Sequence, residues 1–254
     1  MIFAMTRVRT RHQDAVESIA GWIVGGSYGH DAVLPNEEEI GGRLGVSRTV
    51  VREAMRTLAA KGMVTVRRRH GTRVRPVDTW SLFDPQVVTW RLSSGLTRHF
   101  IDDLIRFRLG IEPYAAGLAA DNPDFPAEAL MAAFERMRAA VDGNGDYHQA
   151  DMDFHETIIL GANNQFLRQL VPLMANALGV SFSLSVTGMD SARSSLSMHK
   201  DVADAICAGD PAGARSALTK LIEAAYEDIL VTLPDTNPEE PIHVERARLA
   251  DQGR

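Results

Sequence analysis

The chain has 254 residues, 45% hydrophobic and 24% charged, with a formal net charge of −6. That length suits a small domain beside a larger one. A single cysteine, Cys207, excludes an internal disulfide framework and fits a reducing cytoplasm, and no apolar run reaches the length of a membrane span. The charge is unevenly spread. Residues 1–76 hold 13 Lys and Arg against 7 Asp and Glu, and the remainder hold 14 against 26. A basic first part matches a polyanionic partner, and an acidic second part should stay off it.

The Met-Ile-Phe-Ala-Met start is too short for a signal peptide, and Met5 offers a second start. Informative patterning begins at Leu34. Asn36 can cap a helix, with Glu39 completing a capping box, and Ile40 and Leu44 supply an apolar face. Gly45 permits a left-handed turn, and Ser47 caps a second helix from Arg48 to about Lys61. Val50, Val51, Ala54 and Leu58 fall at core spacing, leaving Arg48, Thr49 and Arg52 at the exposed N-terminal end. Gly62 ends that helix. Met63–Val66 and Thr72–Val74 read as short strands, joined by a basic tip of Arg67, Arg68, Arg69, His70 and Gly71. This order is a winged helix-turn-helix, whose second helix enters the major groove of duplex DNA. Arginine suits that place because its planar fork can bond both O6 and N7 of guanine. The wing's cations are held by phosphates, and Gly71 lets the backbone approach closely. The expected DNA-facing set is Ser47, Arg48, Thr49, Arg52, Arg67, Arg69, His70 and Gly71.

Pro76 closes this first domain, residues 1–76. Beyond it, helical patterns predominate, and seven helices are expected over 84–93, 99–121, 126–141, 147–160, 164–187, 191–208 and 211–232. Short connections favour an antiparallel bundle, residues 77–234, while residues 235–254, with their Asn-Pro-Glu-Glu-Pro run, read as a mobile tail. The fold class is therefore mainly α. Cys207 reads as a packed core thiol, and His12, His148 and His243 as surface residues.

Several inward-facing positions of the bundle are polar. Arg108 and Glu112 interrupt the stripe Ile101, Leu104, Ile105, Ile111, Ala115; Asp151 and His155 share a face with Ile158 and Ile159; His199 lies with Val202, Ala203 and Ile206. Burying such groups is costly unless they are paired, metal-bound or facing a wet cavity. Arg108 and Glu112 have two open readings: a structural i,i+4 pair, or part of a polar pocket inside the bundle. Asp151 and His155 are spaced for two ligands on one side of a metal, or for a local hydrogen bond. No nucleophile or general base with suitable spacing stands out, so an enzyme is not expected.

Leu34-Pro35, Glu37, Val46-Ser47-Arg48, Val51-Arg52-Glu53-Ala54, Leu58, Gly62 and Gly71-Thr72 resemble the GntR family of bacterial transcription factors. The resemblance implies operator contacts by Arg48, Arg52 and the wing around Gly71. Many members carry an arginine where this chain has Glu38, which implies a different operator. Arg108-x-x-Ile-Glu112-Pro113, Asp151-x-x-Phe154-His155, Asn164, Met198-His199 and Asp210-Pro211 are similar to the helical effector domain of the FadR subfamily, the FCD domain. That similarity implies a divalent metal, zinc or nickel, on an aspartate and three histidines. Asp151, His155 and His199 match three of these positions, and Leu221 stands where the fourth histidine falls. An open three-ligand site, or direct hydrogen bonding of an effector by the same side chains, is then expected. Trp80-Ser-Leu-Phe-Asp84 with Val87-Val88-Thr-Trp90 looks like the corresponding region of galactonate-operon repressors, which implies a sugar-acid effector. The expected effector set is Arg108, Asp151, His155, Ser181 and His199. Together these imply a cytoplasmic homodimer that binds duplex operator DNA and a small carboxylate, away from membranes.

Overall fold

The structure, a computed structural model, describes residues 10–67, 71–93, 97–184 and 189–232. The chain divides into two compact units at Ser94–Gly95.

The first unit starts with a helix that the sequence reading did not include, α1 (Arg11–Val24). Thr10 Oγ1 accepts from Gln13 N at 3.2 Å and Gln13 Oε1 accepts from Thr10 N at 2.9 Å, a reciprocal cap. Its buried face, Ala15, Val16, Ile19, Ala20 and Ile23, lies against the next two helices' core. Helix α2 (Glu37–Leu44) has the expected capping box. Asn36 Oδ1 accepts from Glu38 N and Glu39 N, both at 3.0 Å, and Glu39 Oε2 accepts from Asn36 N at 3.2 Å. Gly45, at φ +65°, turns the chain into α3 (Arg48–Ala60), which Ser47 caps. Gly62 has φ +76°, and a Cβ there would sit 2.5 Å from Thr79 O, so only glycine fits. Strands β1 (Val64–Arg67) and β2 (Gly71–Val74) pair antiparallel, from Val64 opposite Val74 to Arg67 opposite Gly71.

The segment after Pro76 packs back onto this unit, beyond the boundary read from the sequence. It forms a 3-10 turn, Val77–Thr79, and helix α4 (Pro85–Ser93). The cause is tryptophan burial. Trp80 and Trp90 join the core with Val87; Trp80 Nε1 donates to Arg75 O at 3.1 Å and Trp90 Nε1 to Glu17 Oε2 at 2.7 Å. Lys61 Nζ donates to Asp84 beside them.

The second unit is helical: α5 (Arg98–Ala120), α6 (Ala127–Val141), α7 (Tyr147–Gly161), α8 (Gln165–Arg168), α9 (Val171–Leu184), α10 (Met189–Cys207) and α11 (Pro211–Thr232). Helix α5 packs on α11 and α7, α10 on α11 and α6, and α7 on α6 and α9. The single helix expected over 164–187 is two. Pro172 lacks an N–H and its ring would clash with the preceding turn, so the chain breaks at Gln169 and Leu170 and restarts with Pro172 in the first turn of α9. Cys207 is exposed rather than packed, because the α10 stripe of His199, Val202, Ala203 and Ile206 turns away from it. Arg68, Arg69, His70, His243 and the tail from residue 235 lie outside the described residues.

Candidate functional site

Polar side chains from three helices form a connected chain inside the second unit. On α5, Arg108 Nε donates to Glu112 Oε1 at 2.6 Å, and both residues are buried. The other Glu112 oxygen, Oε2, lies 2.7 Å from His155 Nδ1 on α7, close but not aligned as a hydrogen bond. His155 Nε2 lies 3.8 Å from Asp151 Oδ1, one turn earlier on the same helix. Asp151 Oδ1 then lies 3.0 Å from His199 Nε2 on α10, and His199 Nδ1 lies 2.9 Å from Ser195 O. Phe154 walls the two imidazoles edge-on, with centroid distances of 5.8 Å to His155 and 5.2 Å to His199.

The electrostatics follow from this chain. Burial by itself would raise the Glu112 pKa, but Arg108 and His155 outweigh it and hold the carboxyl down at about 2. Burial likewise pushes Asp151 upward, and the His199 hydrogen bond with the charges of His155, His199 and Arg108 brings it down to about 2. Both carboxylates are therefore ionised. Arg108's charge reaches Asp151, although its Nε is committed to Glu112. Of the two readings open for Arg108, the structural pair is present in the geometry.

The ring nitrogens bear on metal binding. Each imidazole faces oxygen acceptors on both sides: Glu112 and Asp151 for His155, Ser195 O and Asp151 for His199. A neutral ring carries one N–H. A ring that turns its Nδ1 proton toward Glu112 or Ser195 O leaves its Nε2 lone pair on the Asp151 side, available to a cation in place of a hydrogen bond to Asp151. Nε2 of each such ring and Asp151 Oδ1 are then converging electron-pair donors. The ligand atoms of Asp151, His155 and His199 all lie within 4.8 Å of one another, and the Nδ1 atoms face Glu112 and Ser195 O, where metal-binding histidines take their outer support. The donor set fits a divalent cation. Leu221, at the position where the resemblance implies a fourth histidine, is buried and apolar.

Two further residues join the cluster that the sequence reading passed over. Tyr147 OH and Ser195 Oγ are 2.7 Å apart, and burial, then the Asp151 charge, raise the Tyr147 pKa. Tyr147, Asp151 and His155 are one turn apart in succession, as are Ser195 and His199, so helical spacing was the available signal. Ser181 lies in α9, but its side chain is outside the described residues.

In the first unit, Ser47, Arg48, Thr49 and Arg52 are exposed at the start of α3, and Arg67 and Gly71 are exposed where β1 and β2 meet the wing tip. The described part of the expected DNA-facing set thus shares one exposed end of the helix-turn-helix and one end of the hairpin. Arg48 Nη2 lies 2.5 Å from Glu38 Oε2, and Arg52 Nε 3.9 Å from Glu37 Oε2.

The first unit is thus a winged helix-turn-helix, and the second is a helical domain with a buried cluster of metal-ligand-type side chains. The bacterial regulatory proteins of the gntR family match residues 11–74, and the FCD domain matches residues 103–224. An uncharacterized HTH-type transcriptional regulator of Escherichia coli, YieP, is 34% identical over 211 residues, covering 82% of this chain and 90% of that one. The galactonate operon transcriptional repressor of the same organism is 27% identical, covering 80% and 90%. Among solved structures, Lar, which controls expression of the Listeria monocytogenes agr system, shares the fold with a TM-score of 0.63 at 16% identity, covering 90% of this chain and all of that one. The chain belongs to the GntR family and carries an FCD domain. It is a transcriptional regulator that binds operator DNA, not an enzyme.

Proposed function

We propose that the protein is a homodimeric repressor released from its operator by a small carboxylate of the sugar-acid class. The observation that carries this reading is the buried chain Arg108–Glu112–His155–Asp151–His199. Its cationic and donor groups suit a carboxylate bearing hydroxyls, with Arg108 and the imidazoles offsetting the carboxylate and Asp151, Tyr147 and Ser195 accepting or donating to hydroxyls. Ser181 belongs to the same proposed set. Kinship with a galactonate operon repressor supports the effector class. The Trp80–Trp90 segment supports it by resemblance alone, since it packs in the DNA-reading unit.

Asp151, His155 and His199 would hold a divalent ion such as zinc or nickel, anchored from behind by Glu112 and Ser195. A bound ion would supply a Lewis-acidic point for the effector carboxylate. Two copies of the DNA-reading unit would engage two half-sites of a near-palindrome through Ser47, Arg48, Thr49 and Arg52, with Arg67, Arg69, His70 and Gly71 on the flanking backbone. The effector then favours an arrangement that no longer fits both half-sites.

Thermal unfolding with a panel of sugar acids, with and without EDTA, tests the reading. A selective upward shift for an aldonate is expected, because a ligand of the native state stabilises it. Loss of the shift in EDTA assigns the ion to the site; survival assigns the effector to the side chains alone. A shift produced only by carboxylates without hydroxyls would overturn the sugar-acid class.

A further inference from the structure

Helix α2 opens with three consecutive carboxylates, Glu37, Glu38 and Glu39. Glu39 is used in the capping box. The other two reach across to α3, where Glu38 meets Arg48 at 2.5 Å and Glu37 meets Arg52 at 3.9 Å. The four side chains are 44% to 71% exposed, so these pairs add little to stability. What they change is the charge that the DNA-reading face presents. Both arginines at the exposed start of α3 meet a carboxylate before any DNA arrives.

We propose that Glu38, seconded by Glu37, is a specificity-determining residue that holds Arg48 as an internal substitute for a DNA acceptor. The inference rests on the reading of α3 as the recognition helix. A lone phosphate offers Arg48 the same single-charge contact that Glu38 already makes. Exchange is then nearly neutral, and the released carboxylate repels the phosphates around it. A guanine edge adds two acceptors, O6 and N7, in the fork geometry of the guanidinium, so the correct sequence offsets more of the cost of displacing Glu38 than a lone phosphate does. Random duplex is therefore penalised more than the correct sequence, a repulsive route to discrimination.

The test uses the full chain and two duplexes: one selected by the wild-type protein from a random-sequence pool, and one mixed-sequence duplex lacking that site. Affinities are measured across a salt series for wild type, E38Q, E53Q and R48A. Glu53 pairs with Arg56 at 2.7 Å on α3, so E53Q removes the same unit charge nearby without freeing Arg48. We expect E38Q to bind the mixed-sequence duplex about fivefold more tightly at low salt, the upper range for an exposed pair. Its salt slope should steepen by about 0.9, the value for one added phosphate contact. The selected duplex gains less, so the specificity ratio falls, and adding R48A to E38Q abolishes the gain. An E38Q variant with wild-type slope and mixed-duplex affinity overturns the proposal, as does an E53Q variant that reproduces E38Q. Retention of selected-duplex affinity by R48A overturns the recognition-helix reading instead, so the two failures are distinct.

Discussion

The two units place the same kinds of charged side chain in opposite surroundings. In the DNA-reading unit, Arg48 and Arg52 pair with Glu38 and Glu37 in solvent, at 62% and 51% exposure. In the helical unit, Arg108 pairs with Glu112 at 3% and 1% exposure. An exposed pair is worth about 1 kcal/mol or less and exchanges partners readily. A buried pair is fixed, because removing one member strands the other without water. The difference teaches a division of labour. Loose charges suit a surface that trades a carboxylate for DNA, whereas a locked chain suits a site that must hold its donors in place before a ligand arrives.

The largest expected effect breaks the locked side. Glu112→Ala removes the buried carboxylate from beside Arg108 and His155, and should destabilise the protein by about 3–5 kcal/mol in chemical denaturation. A loss under 1 kcal/mol would mean that the chain is not locked. Arg108→Lys keeps a charge but loses the planar fork; it should fold with reduced stability and lose its response to the effector, read as operator release on titration. An unchanged response would confine Arg108 to the structural pair. On the loose side, Arg48→Ala and Arg52→Ala should each weaken operator binding by about 1–3 kcal/mol. Their unfolding free energies should stay within about 0.5 kcal/mol of wild type; a clear stability loss in either would erase the contrast between the units. The smallest effect sharpens the frame itself. Asn36→Ala removes the α2 cap and should cost about 1 kcal/mol of stability without moving the Arg48–Glu38 contact.

Much of the first unit was legible because its signals are local. Asn36, Gly45 and Ser47 each do in the structure what their chemistry implies, within a few residues of themselves. Helix α1 carries an equally local cap at Thr10 and a plain stripe from Ala15 to Ile23, signals of the same short range. The unit's extent past Pro76 was not legible, since it depends on Trp80 and Trp90 finding a core built from residues far back in the chain. In the helical unit, spacing put Arg108, Glu112, Asp151, His155 and His199 on inward faces, and they are brought together there. Spacing along single helices said nothing of which partners meet across helices. The Glu112–His155 contact, which links the pair on α5 to the donors on α7, therefore emerges only from packing. Pro172 was visible in the sequence, but a short hydrophobic run on either side of it reads as one helix unless the missing N–H is weighed.

The most direct test of the central claim, that the buried cluster and the DNA-reading face are linked, is operator affinity titrated with the ligand found to stabilise the protein, in wild type and in His199→Ala. Linkage requires that effector weaken operator binding by the factor by which operator weakens effector binding. The account predicts equal factors in the wild type, and in His199→Ala an operator affinity that no longer responds. Operator affinity in the wild type that stays constant at saturating effector would contradict it.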